Sequence, residues 1–194
     1  MLYCFIIEFI EFSKMNFSKF GFKFQVMLVL FFSSLHFISA QGVFLMEEHV
    51  AKWQNSMEYT LEVANMMPDS LYDFRPTPEE MTFGEQLQHM AQNMTWLATS
   101  YLMEDEKYIK DEKFKKKLIP ADIRLLLASA YQFSMDALKK MDMTNLNKSK
   151  DFFAGPKTVR QIIFLMHDHA THHRGQLLVY LRLQGIKPPK YRGW

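Results

Sequence analysis

Cysteine is almost missing from this chain: Cys4 is the single one in 194 residues, and it lies in an N-terminal stretch that reads as a removable leader. What remains has no thiol nucleophile and no disulfide, so cysteine chemistry is excluded and the redox compartment is left open. A charge excess of either sign is also missing. Lys and Arg number 23 against 21 Asp and Glu, a net charge of +2, and the leader supplies one unit of it through Lys14, Lys19 and Lys23 against Glu8 and Glu11. That balance leaves no basic footprint for nucleic acid. The Lys-rich run from Lys107 to Lys117 is interleaved with Glu and Asp and reads as a solvated connector. No stretch alternates with the period of two that a strand would need, and no internal repeat is present. With 48% hydrophobic residues, the chain supports one domain with a sizeable core.

What is there begins with an unusual first segment. Residues 1 to 40 hold ten of the eighteen phenylalanines and few charges. Lys19 and Lys23 form a basic start, Val26 to Phe32 an apolar run, and Ile38-Ser39-Ala40 a small-residue cleavage site before Gln41, the order of a secretory signal. The apolar run is shorter than the about 20 residues that span a bilayer. We therefore expect cleavage after Ala40, no stable membrane insertion afterwards, and a secreted or periplasmic domain over residues 41 to 194. The stretch from Met15 is a complete signal by itself, so residues 1 to 14 read as an over-extended start.

Four amphipathic helices follow. The first runs from Val43 to about Met67 through Met46, Val50, Trp53, Met57, Leu61 and Ala64, and Pro68 stops it. Pro68 to Glu80 is a loop pinned by Tyr72 and Phe74. Thr82 with Glu85 makes a capping box, and the second helix carries Phe83, Leu87, Met90, Met94, Leu97 and Tyr101 on its apolar face. His89 lies next to that face, and Asn93 and Trp96 follow at i+4 and i+7, placed to line a pocket. Pro120 opens the third helix, whose stripe includes the polar Ser134 and ends near Met143. A polar loop from Asn145 to Pro156, with Phe152 and Phe153 as pins, leads into the fourth.

The fourth helix, Thr158 to Gly185, carries the chemistry. Thr158 and Gln161 form a second capping box, and Gly185 before Pro188 and Pro189 supplies the stop. Ile162, Leu165, Met166, Leu177, Tyr180 and Leu183 gather on one face, and His169 and His173 fall inside that stripe. Each buried imidazole keeps a donor and an acceptor to satisfy. At i and i+4 their Cβ atoms are roughly 5–6 Å apart, from which both rings can reach one divalent cation. His172 is a rival at i+3 of His169 but lies further from the stripe centre, at its rim. His167 points to nearly the opposite side, towards solvent or an interface. Gln176 can orient a ring or pack as a helix polar contact, Arg174 is structural or pairs with an acid, and Gly175 allows another backbone to approach. Ile163, Phe164, Leu178 and Leu181 make the far side apolar too, from which we expect a homodimer.

GEQLQHMAQ on the second helix, HATHHRGQLLVYLRLQGIKPPKYRGW at the end and the lead-in DFRPTPEEMTFGEQLQH together resemble the DinB superfamily (DinB/YfiT-like) over Val43 to Trp194. The resemblance implies an all-α four-helix bundle with a divalent metal held by one His of the second helix and two of an H-x-x-x-H-R-G-Q run on the last. By position these are His89, His169 and His173. It further implies thiol-dependent transferase or isomerase chemistry on a small-molecule substrate; export makes metal-assisted hydrolysis the more attractive reaction, and a non-enzymatic metal- or ligand-binding bundle is the alternative. Zinc, nickel and iron all suit three nitrogens. No Glu stands between the histidines as in H-E-x-x-H, which argues against a zincin-type protease, and no catalytic base is assigned.

Overall fold

In a computed structural model, residues 19–103 and 117–194 are described. The start of the expected leader and most of the Lys-rich connector lie outside the described residues, as do the side chains around Ala40. The chain divides between Phe44 and Leu45 into two compact units. Helix α1, Lys19–Met66, is longer than the expected helix from Val43, because no proline interrupts it before Pro68. Phe24, Met27, Leu30 and Phe31 of the first unit are exposed. Among the described residues, no helix is long and apolar enough to cross a membrane.

The second unit contains the rest of α1 with α2 (Phe83–Leu97), α3 (Pro120–Lys140) and α4 (Val159–Leu183). It is an all-α bundle, and side-chain pairs give its directions. Trp53 meets Ser134 while Thr60 meets Tyr131, so α1 and α3 are antiparallel. His49 meets His167 while Thr60 meets Arg174, so α1 and α4 are parallel. Gln86 meets Tyr180 while His89 meets His169, so α2 and α4 are antiparallel. The order is up, down, down, up, and the parallel α2 and α3 need the long connection between them.

Local signals place the ends. Thr82 with Glu85 and Thr158 with Gln161 form reciprocal capping boxes, and Pro120 occupies the first turn of α3. Gly185 adopts φ 72°, where a side chain would be strained, and Ile186 N–H then donates to Leu181 O at 2.9 Å to close α4. Gly84 has a different task. A Cβ there would meet Ile123 Cδ1 at 3.1 Å and Tyr72 O at 3.3 Å, so glycine lets α2 sit tightly against α3 and the preceding loop. Tyr72 pins that loop by donating its hydroxyl hydrogen to Ala64 O at 2.8 Å. Two features depart from expectation. Ser149–Lys150 and Lys157–Thr158 form a short antiparallel ladder, and α2 ends in a π turn over Ala98–Leu102, with Met103 N–H donating to Ala98 O.

The buried face of α1 is rotated from the expected stripe. Trp53, Ser56, Tyr59, Thr60, Val63, Ala64 and Met67 are buried, whereas Val50, Met57 and Leu61 are half-buried. The reason is polar. Arg174 is buried and donates to Ser56 Oγ at 2.8 Å, Thr60 Oγ1 at 3.4 Å and Thr171 Oγ1 at 3.3 Å, and its guanidinium lies 5.0 Å from the Tyr59 ring centroid. Tyr131 OH joins Ser56 and Thr60 at 3.1 and 2.9 Å, and Trp53 Nε1–H donates to Ser134 Oγ at 2.9 Å. Hydroxyls, with no carboxylate in ion-pair reach among the described residues, thus satisfy the buried cation.

Candidate metal centre

The capping box at Thr82 fixes where α2 starts, and His89 follows two turns later, half-buried on the side that meets α4. On α4 the half-buried His169 and the buried His173 are one turn apart. The three rings converge through the same atom: His89 Nε2 is 3.0 Å from His169 Nε2, which is 3.2 Å from His173 Nε2. One nitrogen of each lies within 4.8 Å of the others. A neutral imidazole has one N–H, so three facing nitrogens cannot all be satisfied by one another. Nitrogens held about 2.0–2.1 Å from one tetrahedral ion stand about 3.3 Å apart, close to the spacing seen.

Electrostatics keeps these nitrogens unprotonated. Burial, then the His173, His89 and His172 rings, push His169 down to about 3. Burial, then His89 and His172, push His173 to about 4 against a weaker opposing hydrogen bond with Gln176, and burial lowers His89. At neutral pH the rings are uncharged and their lone pairs are free to coordinate.

One of those lone pairs is also aimed. His173 Nδ1–H donates to Gln86 Oε1 and lies 3.1 Å from Gln176 Oε1, which leaves Nε2 as the unprotonated nitrogen facing His89 and His169. Gln86 is held in turn: its amide nitrogen donates to Tyr180 OH at 3.4 Å, and that hydroxyl donates to Met81 O at 2.9 Å. Sequence reasoning found Gln176 but missed Gln86. The available signal was a glutamine three residues before His89 on the apolar side of the helix, where a polar side chain needs a partner.

The remaining histidines divide differently from expectation. His172 is exposed at the rim. His167, expected at solvent or an interface, is buried: its ring is 4.8 Å from that of Trp53, and its Nε2 is 3.4 Å from His49 Nδ1. Helix α4 buries two faces, one against α2 and one against α1, and His167 belongs to the second. Ile163 and Leu181 of the far side are likewise covered within the unit, while Phe164 is exposed. Leu165 and Leu183, expected in the buried stripe, are exposed, and a Cβ on Gly175 would meet nothing within 4 Å, so no backbone approaches there among the described residues.

An open cavity of about 1110 Å³ reaches His89 from solvent. Tyr72, Arg75, Glu85, Gln88, Gln92 and Ile123 are among the side chains that line it, a surface of polar and apolar groups in similar measure. The profile of the DinB family matches residues 40–193. The chain belongs to the DinB family. Two crystal structures share the fold of this DinB chain. A DinB-like protein from Bacillus subtilis is 21% identical with a TM-score of 0.62, covering 74% of this chain and 96% of its own. A DinB-like protein from Bacillus cereus is 19% identical with a TM-score of 0.64, covering 75% and 97%. No curated protein sequence matches the chain.

Proposed function

We propose that this DinB-family chain is a divalent-metal-dependent enzyme whose ion is held by His89, His169 and His173 and whose substrate is a small molecule. The observation that carries the reading is the convergence of three uncharged Nε2 atoms. Three protein ligands leave coordination positions for water or substrate, the pattern of catalytic sites. When bound, such an ion supplies a nucleophile at neutral pH or polarises an oxygen. The chain's own residues do the rest: Gln86 and Gln176 hold the Nδ1 proton of His173, and the open cavity leads solvent and substrate to His89. Zinc, nickel and iron(II) all accept three imidazoles. Export of the mature domain would favour hydrolysis over transfer from a cytosolic thiol.

The test is elemental analysis of the purified full chain beside its His→Ala variants. One equivalent of divalent metal in the unaltered protein, lost in His89→Ala, His169→Ala and His173→Ala, is the expected result. Turnover of a small ester or amide should vanish with chelator and return with the ion. Stoichiometric metal without metal-dependent turnover across a broad substrate panel would assign a carrier role instead, and a metal-free protein would overturn the reading.

A further inference from the structure

The metal ligands occupy one end of a line of side chains that continues along α2. His89, Asn93 and Trp96 stand at i, i+4 and i+7, so Trp96 is about 10 Å from His89 along the axis. Because α2 and α4 are antiparallel, this line passes α4 on the N-terminal side of His169, where Leu165 is 39% exposed. Trp96 does not stand alone. Its ring stacks on Phe152 at 5.9 Å between centroids and 22° between planes, and Tyr101 lies 5.8 Å from Trp96 and 5.6 Å from Phe152. Phe153 completes the group at 6.2 Å from Trp96, with 83% of its surface exposed.

Two details make this more than a packing cluster. An aromatic ring left 83% exposed gains little from burial, although its neighbours hold it in place. Between the platform and the histidines lies Asn93, whose Oδ1 is buried without a hydrogen-bond partner among the described residues. A buried acceptor without a donor costs free energy that a bound N–H or O–H would recover. The cavity at His89 is lined by polar and apolar groups alike and does not include these four aromatic residues, so the platform is a separate surface.

We propose that Trp96, Phe152 and Phe153 form a subsite for a planar apolar group, and that Asn93 Oδ1 accepts a hydrogen bond from the part of the ligand between that group and the metal ligands. The substrate class is then an aryl or similarly flat apolar compound with an amide or hydroxyl donor about midway along a span of about 10 Å. The proposal deepens the metal-dependent reading and rests on it for the orientation of the ligand.

The experiment uses the full chain loaded with cobalt(II) and two probes, acetohydroxamate and 4-phenylbutanohydroxamate, followed by visible absorption. The aryl probe should bind about tenfold more tightly, as one aromatic contact provides. In Trp96→Ala and in Phe153→Ala that ratio should fall towards one, while cobalt binding and acetohydroxamate affinity stay unchanged. A second arm uses 4-phenylbutanamide, which has no chelating group, and follows the Trp96 indole N–H resonance by NMR. It should shift in the unaltered protein and much less in Asn93→Leu. Equal affinity of the two hydroxamates, or a ratio that survives both substitutions, overturns the subsite and leaves the metal reading intact. Failure to bind cobalt with the amide still shifting Trp96 overturns the metal reading and leaves the subsite.

Discussion

Gln86 and His173 are joined across α2 and α4 by a hydrogen bond from His173 Nδ1–H to Gln86 Oε1, with Tyr180 and Met81 behind the glutamine. The bond chooses which imidazole nitrogen faces the other two histidines. Gln86→Leu should therefore keep the helical spectrum and lower metal affinity about 10- to 100-fold, measured by competition with a chromophoric chelator. Gln86→Glu, which keeps an acceptor, should retain most of it. Equal affinity in the leucine variant would mean that Gln176 alone holds the ring.

The two histidines outside the cluster should behave oppositely. His172→Ala should change neither metal content nor stability, because the side chain is exposed. His167→Ala should retain the metal yet lose about 2–3 kcal/mol of stability in urea, since it empties a packed position beside Trp53 and His49. Metal loss in His172→Ala with retention in His173→Ala would exchange their roles.

Arg174 follows His173 directly but points to the other face of α4, into the hydroxyls of Ser56 and Thr60. Arg174→Ala removes the charged donor from those hydroxyls, leaves them only Tyr131 OH and, for Thr60, the Ser56 carbonyl, and empties a buried position, which together should cost about 2–4 kcal/mol by denaturant titration. Arg174→Lys should recover only part, because one ammonium does not reproduce the forked donor pattern. An Arg174→Ala protein as stable as the parent would show that water serves the hydroxyls equally well.

The pH dependence follows from the depressed histidines. Folded values of about 3 for His167 and His169 and about 4 for His173 lie below the ordinary 6.5, so the unfolded chain binds more protons in that interval. Stability of the metal-free protein is then full above about pH 6.5, falls as pH drops towards about 3, and changes little further from these groups. Urea midpoints at pH 7.5, 6, 5 and 4 check the sign. Added metal should steepen the loss, because protons compete with it for the same nitrogens.

Export is tested at the N-terminus. Mass spectrometry of the natively produced protein should find a chain starting at Gln41 in the extracytoplasmic fraction. A soluble cytosolic chain starting at Met1 or Met15 would refute cleavage and restore the thiol-transferase reading.

How much was legible followed from how local each signal is. The capping boxes at Thr82 and Thr158 were readable because donor and acceptor are three residues apart. His169 and His173 were separable from His172 because one helix turn decides which side chains share a face. Gln86 was missed because its partner is 87 positions away: its place on the apolar side of α2 signals that it needs a partner but not which one. His167 and the rotated face of α1 were missed for related reasons: the second apolar side of α4 was assigned to a partner copy, and on α1 only the apolar positions were counted. In α4 a second buried face is built from His167 and Arg174, polar residues whose partners lie on α1. Phe153 was expected to pin its loop by burial and is exposed, since Phe152 takes the stacked, half-buried place against Trp96 and Phe153 lies at its outer edge.

The π turn at Ala98–Leu102 makes chain length itself a determinant of the aromatic platform. Residues five apart on a regular α-helix point about 140° from each other, yet Trp96 and Tyr101 bring their rings within 5.8 Å where the wide turn intervenes. Rewinding the same residues as a regular α-helix would turn Tyr101 about 140° from Trp96 and carry it away from Phe152. Related chains that lack that extra position would set the tyrosine four residues after the tryptophan, about 40° round a regular helix, and would keep the platform without the wide turn.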